Sequence, residues 1–217
     1  MSGFFISFEG TEGGGKSTQI ALLADRLRKQ GQHVRLLREP GGTPIGEEIR
    51  HLLKHSEANR QMVPEAELLL MNASRAQLVR EVIRPALAAG EIVLSDRFYD
   101  STTAYQGYGR QLDLALVRSV IEFAVGPTHP HLTLLLNVSP EVSEARQRAR
   151  QAASAGPRDR FEEADRHFFE RVENGFLRIA KNEPQRVKLV DAAQNIDAVH
   201  EEVWRLVEVS MAASGRC

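Results

Sequence analysis

Cysteine is all but missing: the single Cys217 is the last residue of the chain. No intramolecular disulfide can form and thiolate metal clusters are excluded, so a reducing, cytoplasmic setting is expected. An excess of one charge sign is also lacking, because 28 Lys and Arg stand against 29 Asp and Glu, for a net charge of −1. Without bulk attraction to nucleic acid or to an anionic membrane, any phosphate binding has to be local. Long hydrophobic runs are absent too. The first one, Phe4-Phe5-Ile6-Ser7-Phe8, is stopped by Glu9 and has no basic stretch before it, which predicts neither a signal peptide nor a spanning segment. Aromatics make up only 6% and hydrophobics 42% of the 217 residues. These are ordinary globular proportions, and the length suits one α/β domain, 1–217.

What the chain does have is glycine at a telling spacing. Residues 10–18 read Gly10, Thr11, Glu12, Gly13, Gly14, Gly15, Lys16, Ser17, Thr18, the G-x-x-x-x-G-K-[ST] pattern of a phosphate-binding loop. The residues before it suit a buried strand, and Ile20, Leu23 and Leu27 after it have helical spacing. Strand, glycine loop and helix form the context this loop needs. Backbone N–H groups then converge at a helix N-terminus, Lys16 adds a full charge, and Ser17 can hold Mg²⁺ against the phosphates of ATP or GTP.

Further short apolar runs at 33–37, 92–95, 132–137 and 187–190 alternate with helical patterns at 16–30, 45–54, 65–89, 114–124, 140–153, 163–182 and 196–211. Five strands alternating with helices predict a parallel sheet covered on both faces. The segment 151–160, rich in small residues with glycine and proline, reads as a mobile excursion between two helices. No repeat or low-complexity linker divides the chain.

Several polar residues stand where the pattern demands a reason. Asp96 and Arg97 follow Ile92-Val93-Leu94 and should lie beyond the carboxyl ends of the strands, where open parallel sheets bind ligands. Arg38 and Glu39 end the second run, and Pro40, Gly41 and Gly42 force a turn after them. Arg75 shares a stripe with Leu68, Met71, Leu78 and Val82, so its charge needs a partner or a route to water. Thr102 and Gln106, four apart, can face one side of a helical turn with groups able to read the polar edge of a pyrimidine. Glu12 is an odd anion to find inside a phosphate loop.

Four motifs in order, "FEGTEGGGKST" at 8–18, "REPGGTPIGEEIR" at 38–50, "LLLMNASRAQL" at 68–78 and "SDRFYDSTTAYQG" at 95–107, are followed by "DRFEEADRHFF" at 159–169. Together they resemble the bacterial-type thymidylate kinase family of P-loop nucleoside monophosphate kinases, from the N-terminus to about Asp191. The resemblance implies a P-loop kinase fold with a short lid at about 148–162, and ATP-dependent phosphorylation of dTMP to dTDP with Mg²⁺. It also implies a homodimer, with neither a nucleic acid nor a membrane partner. By resemblance, Arg50 and Arg97 clamp the acceptor phosphate, Glu39 lies in the acceptor site, Arg75, Thr102 and Gln106 meet the base, and Tyr105 flanks the sugar. Glu12 approaches the sugar and the clamping arginines, while Ser17 and Asp96 serve the metal. Met71 stands where the family usually has a stacking phenylalanine, which Phe98 or Tyr99 would have to replace. Gly13 takes the place of an arginine that eukaryotic members carry. The lid then supplies the missing charge, with Arg150 and Arg160 the best matches among Arg146, Arg148, Arg150, Arg158 and Arg160. Rival readings fit less well: another kinase of the same architecture, a GTPase, which would need a guanine-reading Asn-Lys-x-Asp, or a nucleic-acid-binding ATPase, which would need a basic stripe.

Overall fold

The computed structural model describes residues 3–153 and 166–215. Its centre is a five-stranded parallel sheet of β1 (Phe4–Glu9), β2 (Val34–Arg38), β3 (Ile92–Asp96), β4 (Leu132–Asn137) and β5 (Val187–Asp191), in the order β2-β3-β1-β4-β5. The five predicted strands are all present, each within a residue or so of its expected ends. β1 is central because the chain first builds β2 outward on one side, fills the gap with β3, and then adds β4 and β5 on the other side. Phe8 pairs with Asp96, Arg38 with Asp96, and Asn137 with Asp191, so the strands end nearly flush. The loop after β1 therefore opens at the reversal of strand order, where such sheets bind ligands.

Both faces of the three central strands, β3, β1 and β4, are buried, as their continuous apolar runs require, while the edge strands β2 and β5 stay partly exposed. Alternate β1 residues serve opposite layers. Phe4, Ile6 and Phe8 pack with Leu23 and Leu27 of helix α1 (Lys16–Lys29) and with Trp204 of the last helix, Ile196–Ala213. Phe5 points the other way, into a cluster with Leu78, Ile83, Val93, Phe98 and Val117.

Helix α2 (Pro44–Lys54) starts on the β2 turn, with the Thr43 hydroxyl accepting from Gly46 N–H at 3.0 Å. The pattern at 65–89 predicts one helix. The structure instead gives α3 (Pro64–Leu78), a π-helical stretch Val79–Ile83 and a short α4 (Arg84–Ala88). The wide turn lies just before Pro85, whose missing N–H cannot serve the carbonyl of Glu81. After β3 come a single helical turn, α5 (Tyr99–Thr102), and a second π-helical stretch, Thr103–Gly109. The remaining helices are α6 (Leu114–Val125), α7 (Pro140–Ala153), α8 (Arg166–Asn182) and the last one, α9. The expected start of α8 at 163 falls outside the described residues. Among the described residues, no helix is long and apolar enough to cross a membrane.

Candidate active site

The phosphate loop has the backbone its glycines allow. Gly10 has φ 125° and Gly13 φ 77°, a region that side chains avoid. A Cβ on Gly10 would lie 2.3 Å from the carbonyl oxygen of Leu136. At Gly13, the space for a side chain is taken by α7, with Ser143 O 2.8 Å and Arg146 Cβ 3.4 Å from the position a Cβ would occupy. Arg146 donates to Gly13 O at 3.3 Å and to Ala192 O at 3.0 Å, so one cation of α7 touches the loop at Gly13.

Lys16 is buried and curled back on the loop, donating to Gly10 O at 3.1 Å and Thr11 O at 2.9 Å. Burial first and Arg97 second push its pKa down to about 8, against the partial offset of Glu12 and Asp96. The Ser17 hydroxyl donates to Asp96 Oδ2 at 3.2 Å. These two hard oxygen groups share the mouth of the loop, as a magnesium site requires.

Arg97 joins the loop to the neighbouring cavity. It has φ 71°, a strained conformation for a residue with a side chain. The strain is held by four contacts: Nη2 donates to Glu12 Oε1 at 3.0 Å and to Tyr105 Oη at 3.3 Å, Nη1 donates to Ser101 Oγ at 2.9 Å, and the guanidinium lies 5.1 Å from the Tyr105 ring centroid. Burial works to raise the pKa of Glu12, but Arg97 and then Lys16 overcome it and hold the carboxyl well below its ordinary range. Glu12 is therefore an anion shielded by two cations, which accounts for its place in a phosphate loop. Behind this pair, the fully buried Glu9 accepts from Phe98 N at 2.7 Å and Ser101 Oγ at 2.5 Å. Burial, with the Asp100 charge adding to it, pushes the Glu9 carboxyl up to about 7.

The cavity beside Arg97 has a volume of about 60 Å³ and opens to solvent. Glu12, Glu39, Met71, Arg75, Arg97, Thr102, Tyr105 and Gln106 all line it. Residues from the loop, the turn after β2, α3, the end of β3 and the 99–109 segment thus meet. Arg75 is 2% exposed and does not snorkel. It pairs with Glu39 through Nε at 2.8 Å and Nη2 at 2.7 Å, and its other N–H groups reach Asn72 Oδ1, Thr102 Oγ1 and Phe98 O. Four hydrogen bonds and the ion pair with Glu39 thus hold it, while Glu39 Oε1 is buried without a hydrogen-bond partner. Burial raises the Glu39 pKa against the pull of Arg75.

Some expected residues are placed differently. Arg50 donates to Pro40 O at 2.8 Å and is not part of the cavity wall, whereas Lys54, one turn further along α2, is. Tyr99 faces away from the cavity: its ring lies 5.7 Å from that of His129 and 5.1 Å from the Arg186 guanidinium. Phe98 does line the cavity, though it is fully buried edge-on against Phe5. Phe169 of α8 lines it as well and packs with Met71 on the same apolar cluster. Lys54, Ser101 and Phe169 were missed by sequence reasoning. Only Lys54 had a signal, its i+4 spacing from Arg50. Among the arginines expected in a lid, Arg148 meets Glu144 at 3.7 Å on α7. The side chain of Arg150 and all of Arg158 and Arg160 lie outside the described residues.

A phosphate loop that shares one arginine with an open cavity lined by both charged and apolar side chains, at the reversal point of a parallel sheet, defines a P-loop kinase acting on a small acceptor. The comparisons with known proteins narrow that class. A family model described as thymidylate kinase matches residues 8–203. The thymidylate kinase of Syntrophotalea carbinolica is 52% identical over 202 residues, covering 93% of each chain. That of Deinococcus radiodurans is 47% identical over 205 residues, covering 94% of this chain and 96% of its own. A crystal structure of thymidylate kinase from Ehrlichia chaffeensis matches with a TM-score of 0.76 and 32% identity, over 96% of this chain and 99% of that one. The chain belongs to the thymidylate kinase family.

Proposed function

We propose that this chain transfers the terminal phosphoryl group of ATP to the phosphate of dTMP, giving dTDP and ADP. The observation that carries the reading is Arg97, which bonds Glu12 of the phosphate loop while lining the cavity that also holds Arg75, Thr102 and Gln106. Donor and acceptor phosphates brought to its two sides would face each other in line, and positioning of this kind is most of what phosphoryl transfer asks of a protein.

The loop amides and Lys16 hold the donor phosphates, and Ser17 and Asp96 would hold a magnesium ion, which would neutralise charge on the donor. No group of three or more His, Cys, Asp or Glu suited to a metal exists among the described residues. A magnesium ion needs none, since one or two protein oxygens with phosphates and water complete its shell. Arg97, with Arg50 and Lys54 from α2, receives the acceptor phosphate, and Glu12 sets the position of Arg97. Tyr105 fills the space beside the sugar and disfavours a ribose 2′-hydroxyl. Thr102 and Gln106 face the base, with Arg75 anchoring that wall and Met71 lying against the ring. Arg150 or Arg160 closes over the transferring group from the lid, in a single domain of about 217 residues working in the reducing cytoplasm.

Release of ADP with ATP and a panel of deoxynucleoside monophosphates tests the reading. The highest kcat/KM is expected for dTMP, followed by dUMP, since one methyl group is worth roughly 10- to 200-fold in a pocket. No dTMP-dependent release of ADP would overturn it. Among alanine variants of Arg150, Arg158 and Arg160, at least one should lower kcat by more than about tenfold.

A further inference from the structure

Glu67 is a buried charge behind the cavity wall that the proposed reaction does not use. Its side chain is completely buried on α3, two turns before Arg75. Gln106 Nε2 donates to Glu67 Oε1 at 2.7 Å, and Arg110 donates to the same carboxyl through Nε at 3.3 Å and Nη2 at 3.1 Å. Arg110 in turn lies 4.6 Å over the Phe168 ring. The carboxylate is thus fixed by an ion pair from one side and presented to an amide on the other.

This arrangement settles a question that an amide leaves open. A glutamine side chain carries a donor and an acceptor of nearly the same shape, and either can be turned toward a ligand. A carboxylate can only accept, so the NH₂ group has to face Glu67 and Oε1 becomes the amide's cavity-side atom. Gln106 lines the cavity, and no donor among the described residues meets its Oε1. The neighbouring polar wall has the opposite character: Thr102 Oγ1 already accepts from Arg75 Nη1 at 3.0 Å, which leaves the Thr102 hydroxyl proton free to be given. The wall therefore offers an acceptor at Gln106 and a donor at Thr102.

We infer that Glu67 is a positioning residue which, by holding the Gln106 amide in one orientation, makes the site select a pyrimidine whose ring N3 carries a proton over one whose N3 is an acceptor. Thymine and uracil present that proton, whereas cytosine presents a lone pair to the same Oε1. A mismatch there leaves two acceptors facing each other out of water, the kind of penalty that separates substrates far better than shape does. The inference rests on the proposed acceptor site and adds to it the residue that sets its polarity.

The test is the ratio of kcat/KM for dTMP to that for dCMP in Glu67→Gln and Glu67→Asp. The first variant keeps the shape and lets the Gln106 amide turn over. The second keeps the charge for Arg110 and shortens the reach to Gln106, so one variant stays informative if the other does not fold. A fall of the ratio by about tenfold or more is expected in each folded variant, through KM for the monophosphate, with KM for ATP unchanged. In a Gln106→Leu background, Glu67→Gln should cause no further fall, because the residue it acts through is gone. A folded variant with the wild-type ratio, or an effect of Glu67→Gln that persists undiminished without Gln106, overturns the inference. Wild-type protein inactive on dTMP would instead overturn the proposed function, so the two failures are distinct.

Discussion

Lys16 shows how much of a site's chemistry depends on the surroundings of one side chain. Its burial, with Arg97 close by, brings its pKa down to about 8, so the cation is lost as pH rises through that value. The group we propose to meet the donor phosphates is then neutral in the free protein. Accordingly, kcat/KM for ATP should decline above pH 8, approaching tenfold per unit, while kcat holds to higher pH because bound phosphates raise the lysine again. A kcat/KM that stays flat from pH 7 to 10 would contradict this. The lysine itself is plain in the sequence from its place after Gly15. Its depressed pKa is not, because Arg97 is 81 positions further along the chain and arrives only through the sheet.

At the scale of elements, the segment that carries Tyr105 and Gln106 is held by α8. α8 packs against the π-helical stretch 103–109 through two glycines, one on each side. A Cβ on Gly109 would lie 2.6 Å from Phe168 Cε2 and 2.8 Å from Val172 Cγ2, and one on Gly175 would lie 2.9 Å from Tyr108 Cβ. Tyr105 on the same stretch meets the rings of Phe168 and Phe176 edge-on at 6.0 and 6.2 Å. Gly109→Ala should therefore cost on the order of 1 to 3 kcal/mol in thermal unfolding and raise KM for dTMP more than KM for ATP, since the shift is passed to Tyr105 and Gln106. Equal changes in both KM values would count against this coupling. Helical spacing was legible here for Thr102 and Gln106. The wider π turn was not, since nothing in the residue pattern marks it.

For the whole molecule, an exposed apolar face bears on assembly. Phe123 is 85%, Leu69 59% and Leu116 51% exposed, on the neighbouring helices α3 and α6. We propose that this face pairs with its counterpart on a second copy, in line with the homodimer that the family resemblance implies. Light scattering should then give about twice the 24.2 kDa of one chain, and Phe123→Asp should reduce it to a monomer by placing a charge in the contact. A wild-type monomer at micromolar concentration would remove the proposal.

The sequence by itself determined the five strands, most of the helices and the phosphate loop. The five apolar runs, the glycine loop and the strand-end pair Asp96-Arg97 are contiguous, and local backbone chemistry is enough to read them. Tertiary structure decided the partners of the buried charges. Glu39 meets Arg75 from 36 positions away, Gln106 meets Glu67 from 39 and Arg97 meets Glu12 from 85. Each pair forms because β3 is inserted between β2 and β1, which brings the ends of those strands and the helices behind them around one cavity. A buried charge is stable only with its partner in place. Strand order, which no local pattern encodes, therefore decides which of these polar residues keep one another in place and which remain open to a ligand.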